Sequence, residues 1–269
     1  MENKINLSVI LPVSSTYHKD FDELFTKSVE SIKKQQVIPS EVILVHSDEE
    51  KLVSYLDNFE FGDLNVVRVK NETNNVDFQT QINLGVSKAT NEWISILEFD
   101  DEYSYIWFKN VKEYINVHPE CDGFLPIVVD VDEKGVFIGY TNEATFAASF
   151  NTEIGILTNE LLLQYQNFQT SGIVLRKSSF ESHGGFKASM KLTFVYELLL
   201  RLTYNSCRIM TIPRLGYKHI NMRESSLFWN YKNGKDVITE NEVKFWIDTA
   251  KKEYFFTNDR NIKFEATTS

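Results

Sequence analysis

The sequence predicts an α/β protein: a mainly parallel sheet flanked by helices, with a helical extension at its C-terminal end. Three observations carry this expectation. Short apolar runs alternate with stretches of helical spacing through the first half of the 269 residues, and such alternation calls for βαβ crossovers between parallel strands. The strand-like runs are apolar at both parities, as in strands covered on both faces. The composition, 42% hydrophobic and 13% aromatic, suffices for one large domain or two small ones.

Each element follows from its residues. Ile5–Val13 is a mostly apolar run closed by Pro12 and reads as the first strand. In Asp20–Gln35, Phe21, Leu24, Phe25, Val29 and Ile32 form one stripe, with Asp20 as N-cap. Glu41–Val45 is a second buried strand, Glu49–Leu56 a short helix and Leu64–Val69 a third strand. Phe78–Lys88 is helical, Trp93–Phe99 is the fourth strand, and Ser104–Val117 is a helix capped by Ser104 that turns Tyr105, Phe108, Val111, Tyr114 and Ile115 inward. Gly123–Val131 and Val136–Tyr140 read as a hairpin about a turn at Glu133–Gly135, and Ala144–Asn159 as an irregular loop over the site. Ser171–Leu175 is a strand, Ser178–His183 a short helix stopped by Gly184-Gly185, Leu192–Tyr204 a helix, Arg208–Ile212 a strand and Glu240–Phe255 a terminal helix. Residues 259–269 are expected to be loosely ordered. The pattern divides into a domain over 1–220 and an extension over 221–269 packed on it.

Charge and cysteine usage exclude several functions. A formal net charge of -10 opposes nucleic-acid binding, which needs concentrated Lys and Arg to displace counterions. The doublets Lys33-Lys34 and Lys251-Lys252 read as solvated helix faces. Cys121 and Cys207 make no disulfide framework or zinc signature and suggest a reducing compartment. The apolar run near the N-terminus is too short for a signal peptide, and no run is long enough to span a bilayer, so a soluble, cytoplasmic protein is expected.

The chemistry concentrates in Gln81–Asp101, QINLGVSKATNEWISILEFDD. Glu98, Asp100 and Asp101 stand where an apolar strand has just ended. Hard divalent cations prefer clustered oxygen ligands, and open α/β sheets bind ligands outside the carboxyl ends of their strands. The residues therefore point to a metal-assisted site for a phosphate-bearing ligand. The bland reading is that these acids complement the dipole of the helix beginning near Ser104.

Five separated segments resemble, in order, those of family 2 glycosyltransferases. They are SVILPVSS (Ser8–Ser15), SVESIKKQQVIPSEVILV (Ser28–Val45), INLGVSKATNEWISILEFDD, SGIVLRKSSFESHGGF (Ser171–Phe186) and YELLLRL (Tyr196–Leu202). The resemblance implies a GT-A, Rossmann-like fold and transfer of a sugar from a nucleotide-sugar donor to a glycan, lipid or protein hydroxyl. It implies Mn2+ or Mg2+ as cofactor and allows a homo-oligomer. It places the nucleotide against Pro12, Val13, Ser14, Ser47, Asp48, Asn83, Gly85 and Glu98. It places the metal at Asp100, Asp101 and His219, with Lys218 and Arg223 beside them, and the acceptor at Arg176, Gly184, Gly185 and Phe186.

The chain also departs from the family pattern. Glu98 replaces the first Asp of the metal motif, and Ile82 stands where an Arg often precedes Asn-x-Gly. His46 and Ser47 occupy the base-reading acid positions, leaving Asp48 one residue beyond; His46 could stack on a base or have only a local role. The catalytic Glu-Asp pair reads Phe194-Val195. Glu197 is the nearest candidate base, but two residues along a helix turn it by roughly 200°, and it lies four residues before Arg201 at ion-pair spacing. The alternatives are a base from Asp101 or Glu224, a retaining enzyme, or a catalytically degenerate module kept for binding or assembly. A nucleotidyltransferase would need a glycine-rich loop after the first strand, and PVSSTYHKDF has no glycine. His18 and His118 have no evident partners and read as surface residues.

Overall fold

The structure, a computed structural model, describes residues 3–15, 18, 20–73, 75–147, 153–221, 223–224, 226–234 and 237–265. In chain order the elements are β1 (Lys4–Val13), α1 (Phe21–Lys33), β2 (Ile38–His46), α2 (Glu50–Asn58), β3 (Val66–Lys70), α3 (Phe78–Lys88), β4 (Trp93–Ile96) and β5 (Glu102–Tyr103). They continue with α4 (Trp107–Val117), β6 (Gly123–Val131), β7 (Phe137–Thr141), β8 (Ile156–Leu157), α5 (Asn159–Gln164), β9 (Val174–Arg176) and α6 (Lys177–Ser182). The last are α7 (Phe194–Tyr204), β10 (Ile209–Ile220), α8 (Leu227–Asn233) and α9 (Glu240–Glu253).

One sheet runs β3-β2-β1-β4-β9-β6-β10-β5. Strands β3, β2, β1 and β4 are parallel, as are β6 and β10, while β9 lies antiparallel between the two groups. The sheet is therefore mixed but mainly parallel, as expected from the alternation. Alternate residues of the same strand enter different apolar layers. Ile10, Ile43, Val45, Ile94 and Ile96 pack with Ile82 and Val86 of α3, Leu198 and Leu199 of α7, and Trp246 and Ala250 of α9. Val9, Leu11, Val42 and Leu44 pack with Phe25 and Val29 of α1 and Trp107 and Phe108 of α4. Coverage on both faces explains why these strands read as continuous apolar runs.

Four expectations need correction. Strand β10 does not stop at Ile212. Register shifts between Thr211 and Leu215, and again before Tyr217, carry it past Pro213 to Ile220, because a bulge accommodates a residue with no N–H. Ser104 is not a helix cap: α4 begins at Trp107, and Tyr105 points outward, 59% exposed, while Trp107 is fully buried. Helix α8, capped by the Ser226 hydroxyl on the Trp229 amide at 3.3 Å, was not anticipated. Of the segment expected to be loose, residues 259–265 are tied down: Asp259 accepts from the Ser189 amide at 2.8 Å, Arg260 pairs with Glu253, and Ile262 and Phe264 lie against the core, while 266–269 lie outside the described residues. In the expected loop over 144–159, residues 148–152 lie outside the described ones, and the rest includes a 3-10 turn at Glu143–Phe146 and strand β8.

Gly85 sets how closely α3 approaches the sheet. A Cβ there would lie 2.5 Å from Ile10 Cγ2 and 2.9 Å from Val45 Cγ2, and β-branched side chains cannot swing away. Gly85→Val should lower unfolding stability by about 1–3 kcal/mol. A urea denaturation midpoint equal to that of the wild type would show that the helix can retreat freely.

Candidate active site

Strand β4 lies between β1 and β9, so the chain leaving it emerges at the carboxyl edge beside the loop that follows β1. The Leu97 amide still donates to the Ile10 carbonyl at 3.0 Å, and the Asp101 amide closes a turn on the Glu98 carbonyl at 3.1 Å. Neighbouring elements pin this turn. The Glu98 amide donates to the Tyr217 hydroxyl at 3.0 Å, and Ser28 donates to the Glu98 carbonyl at 3.2 Å. Phe99 packs against His18 and Phe21, with ring centroids 5.4 and 5.6 Å away. The apolar residue between the acids is thus the wedge that holds them.

The three carboxylates have different partners. Glu98 accepts from the Ser171 hydroxyl at 3.0 Å. Asp100 accepts from Arg223 Nε at 2.7 Å. Asp101 is fully buried and accepts from the Ile220 amide at 2.9 Å and His219 Nδ1 at 3.0 Å. Ligand atoms of Glu98, Asp101 and His219 all lie within 4.8 Å of one another. Burial, followed by the Asp101 charge, lifts Glu98 to about 7, against the pull of His219. Burial and Asp101 also raise Asp100, opposed by Arg223. Burial disfavours the His219 imidazolium, but the charges of Asp101, Glu98 and Asp130 outweigh it and raise the ring to about 10. The ring is therefore a cation enclosed by acids.

A cleft of about 520 Å³ opens in front of this edge, lined by Pro12, Ser14, His18, Glu98, Asp100 and Arg223 and by residues of α3, α8 and the segment 188–191. Of the expected nucleotide residues, Pro12, Ser14 and Glu98 line it, and Val13 is buried in β1 beside His46. Ser47 is buried with its hydroxyl donated to the Ser14 carbonyl at 2.7 Å, while the Asp48 side chain is 76% exposed and 3.9 Å from Lys70. His46 is buried, its Nδ1 2.7 Å from the Ser47 carbonyl. Asn83 donates to the Phe186 carbonyl at 2.7 Å and accepts from the Phe186 amide at 2.9 Å, clamping the turn beside it. Gly85 faces the strands beneath α3.

The expected acceptor and base residues are placed elsewhere. Arg176 pairs opposite Trp93 at the start of β4, 4.4 Å over its ring, and holds Glu92 and the Cys121 and Pro119 carbonyls. Trp93 is five residues before Glu98, so Arg176 stands roughly 16 Å along the strand from the acids, at the amino edge. Gly184 and Gly185 have φ of +82° and +62°, and a Cβ on Gly184 would meet the Thr257 carbonyl oxygen at 2.2 Å. Phe186 is a core aromatic among Phe78, Phe180 and Phe194. Glu197 is fully buried: Arg201 donates to both its oxygens, at 2.9 and 2.8 Å, and Lys187 lies 2.9 Å away. Arg201 and Lys187 also hold the Gly185 and Glu253 carbonyls. That cluster supports the glycine turn and keeps Glu197 out of the cleft.

Some site residues escaped sequence reasoning. Tyr217 carries no motif that marks it, and Ser171 opens a family-like segment that assigns it no role. His18 is not a surface residue: it lies between Phe99 and Arg223, and burial, then the Arg223 charge, lowers it to about 4. His118 does stay near the surface, beside Glu120. Lys218 pairs with Glu102 instead of joining His219.

With this geometry established, the relationships are clear. The sequence profile of Glycosyl transferase family 2 matches residues 8–184, and the chain belongs to that family. Comparison with curated proteins finds no match. Among solved structures, the chain is similar to S. aureus TarS 1-349 in complex with UDP-GlcNAc, at 18% identity and a TM-score of 0.61 over 84% of this chain and 61% of that one. The complex of TarS 1-349 with UDP gives 18% and 0.58 over 80% and 60%, and S. aureus TarS itself 18% and 0.61 over 93% and 44%. The chain therefore spans less than two thirds of these proteins, and the likeness establishes a shared GT-A fold.

The buried charge cluster gives a stability prediction. Glu197→Ala leaves Arg201 and Lys187 without their counter-charge and should cost about 3–5 kcal/mol. An unchanged urea midpoint for this variant would contradict the structural place given to Glu197.

Proposed function

We propose that this chain transfers a sugar from a uridine diphosphate sugar to a hydroxyl of a glycan, lipid or protein acceptor. The observation that carries the reading is the acidic strand end from Glu98 to Asp101 opening on a cleft at the carboxyl edge of a family 2 chain. The uridine assignment rests on S. aureus TarS, whose structures hold UDP and UDP-GlcNAc in the same class of fold.

The residues fit a divalent cation such as Mn2+ or Mg2+. Glu98 uses one carboxylate oxygen on Ser171, and His219 Nδ1 is taken by Asp101, so the ligands we assign are the second Glu98 oxygen and His219 Nε2, which gives up its proton when the ion binds. Both oxygens of Asp101 are occupied; it fixes the imidazole from behind, as outer carboxylates do for metal-binding histidines. An ion held by few protein ligands keeps positions for diphosphate oxygens. The bound ion would neutralise charge on the departing diphosphate. Pro12 and Ser14 form the nucleotide wall of the cleft, and Phe99 and His18 keep the acid turn rigid.

The proton of the attacking hydroxyl needs a base. The acids on the cleft wall are Asp77, Glu98 and Asp100, of which Asp77 caps α3 on the Thr80 amide at 2.6 Å and Asp100 holds Arg223. This commitment of the acids, with Phe194 and Val195 at the usual base positions, favours a second reading: a module that binds the donor without turnover. No helix among the described residues is long and apolar enough to cross a membrane, and both cysteines are buried and free. We place the protein in the cytoplasm, where thiols stay reduced.

UDP with Mn2+ should stabilise the chain against thermal unfolding, by about 2.7 kcal/mol at a hundredfold excess over the dissociation constant. His219→Ala should remove the metal-dependent part. No stabilisation by uridine or guanosine diphosphate with either Mn2+ or Mg2+ would overturn the donor-site reading. Hydrolysis of a UDP-sugar by the wild type, or its absence despite binding, separates the transferase from the binding module.

A further inference from the structure

An apolar surface that neither core covers lies across β7, β6 and β10. Phe137, Ile138 and Tyr140 of β7 are 54%, 53% and 48% exposed, Val136 beside them 59% and Leu215 of β10 48%. The strand registers bring them together. Leu215 pairs with Ile127, Tyr140 with Val129 and Phe137 with Val131, so alternate positions of β6 carry their partners onto one face. Ile138 is the extra residue of the bulge between Phe137 and Gly139, and the Phe137 and Tyr140 rings meet with centroids 4.8 Å apart. Asp130 and its register partner His219 fall between these positions and turn to the other face. Neither apolar core layer includes Ile127, Val129, Leu215 or the exposed residues of β7.

A contiguous exposed apolar face marks a contact surface, and the charges around it select the partner. Residues 135–142 carry no charge in a chain of net charge -10, so two copies can meet there without bringing acids together. The rim has both signs: exposed Lys134 and Arg214 stand with exposed Glu133 and Glu143, and Lys218 is already paired with Glu102. A two-fold axis sets such a rim against its own complement, whereas an anionic bilayer or a polyanion would meet the acids. The area is also of the right order. Five side chains about half exposed offer roughly 400–500 Å² of apolar surface per copy. That is more than half of the ~800 Å² per partner in a stable interface.

We propose that this face packs, sheet on sheet, against the same face of a second copy of the chain in an isologous dimer. Phe137, Ile138 and Tyr140 fill the centre of the contact, Leu215 extends it across β6 to β10, and the charged tip of the hairpin forms its rim. The contact is made on the side of the sheet away from Asp130 and His219. The dimer is independent of what the cleft binds.

Sedimentation equilibrium of the full chain between about 1 and 100 µM should show a monomer–dimer equilibrium with a dissociation constant in the micromolar range. Ile138→Glu and Leu215→Glu, on different strands, should each weaken it at least about tenfold by setting like charges in the contact. Phe255→Glu, at an exposed aromatic outside this face, should leave it unchanged. All three positions are exposed, so circular dichroism of the variants should match the wild type. A wild type that stays monomeric at about 100 µM, or a dimer that Ile138→Glu and Leu215→Glu both leave intact, would overturn the proposal. So would dissociation by Ile138→Glu and not by Leu215→Glu. The copies would then be joined along the outer edge of β7, which has no strand partner among the described residues. A monomeric wild type that sediments with phosphatidylcholine vesicles, and loses this in Ile138→Glu, would assign the face to a bilayer instead.

Discussion

Everything about this site depends on the crowding of three carboxylates onto one turn after β4. Two unit charges 4 Å apart repel by about 4 kcal/mol where the effective dielectric constant is near 20, so three acids in a dry corner need compensation. The fold supplies two cations, His219 and Arg223, and directed donors from Ser171 and the Ile220 amide. All of these come from the second half of the chain, and Tyr217, His219 and Ile220 come from one strand. The bulges that let β10 run past Pro213 are therefore what completes the site. A strand ending at Ile212 would leave Asp101 buried without a partner.

The other charged clusters are structural, and their places show why. Glu41 is buried near the amino ends of the strands, accepting from Ser8 at 2.6 Å, the Thr90 amide at 2.7 Å and Asn91 at 3.0 Å, which ties β1 and β2 to the turn before β4. Arg176 closes the same edge over Trp93. The Glu197–Arg201–Lys187 cluster braces the Gly184-Gly185 turn against the segment after α9. In each case the charged group is held by donors or counter-charges inside the protein. The acid turn differs because Glu98, Asp100 and Arg223 line an open cleft at the carboxyl edge.

The sheet and its order of helices were legible because both depend on local periodicity. The apolar runs in β1, β2 and β4 and the stripe in α1 are read without knowing what they touch. The acid turn was legible for a similar reason, since three carboxylates ending an apolar run stand out in sequence. What the residues could not reveal is which partner each acid takes. Asp100 and Asp101 are neighbours, yet one faces Arg223 and the other His219, a choice made by a turn and by a strand more than a hundred residues away. The glycine turn and Arg176 misled for the converse reason: a family segment retains its place in the chain while its side chains turn to packing. Glu197 with Arg201 was readable either way, and burial decides for the ion pair.

A crystal structure of the chain with UDP and Mn2+ tests the central claim most directly. The metal is expected on Glu98 and His219 Nε2, with Asp101 still behind the imidazole and the diphosphate in the cleft beside the Glu98–Asp101 turn. Metal bound away from Glu98 and His219, or nucleotide bound away from the Glu98–Asp101 turn, would contradict this site.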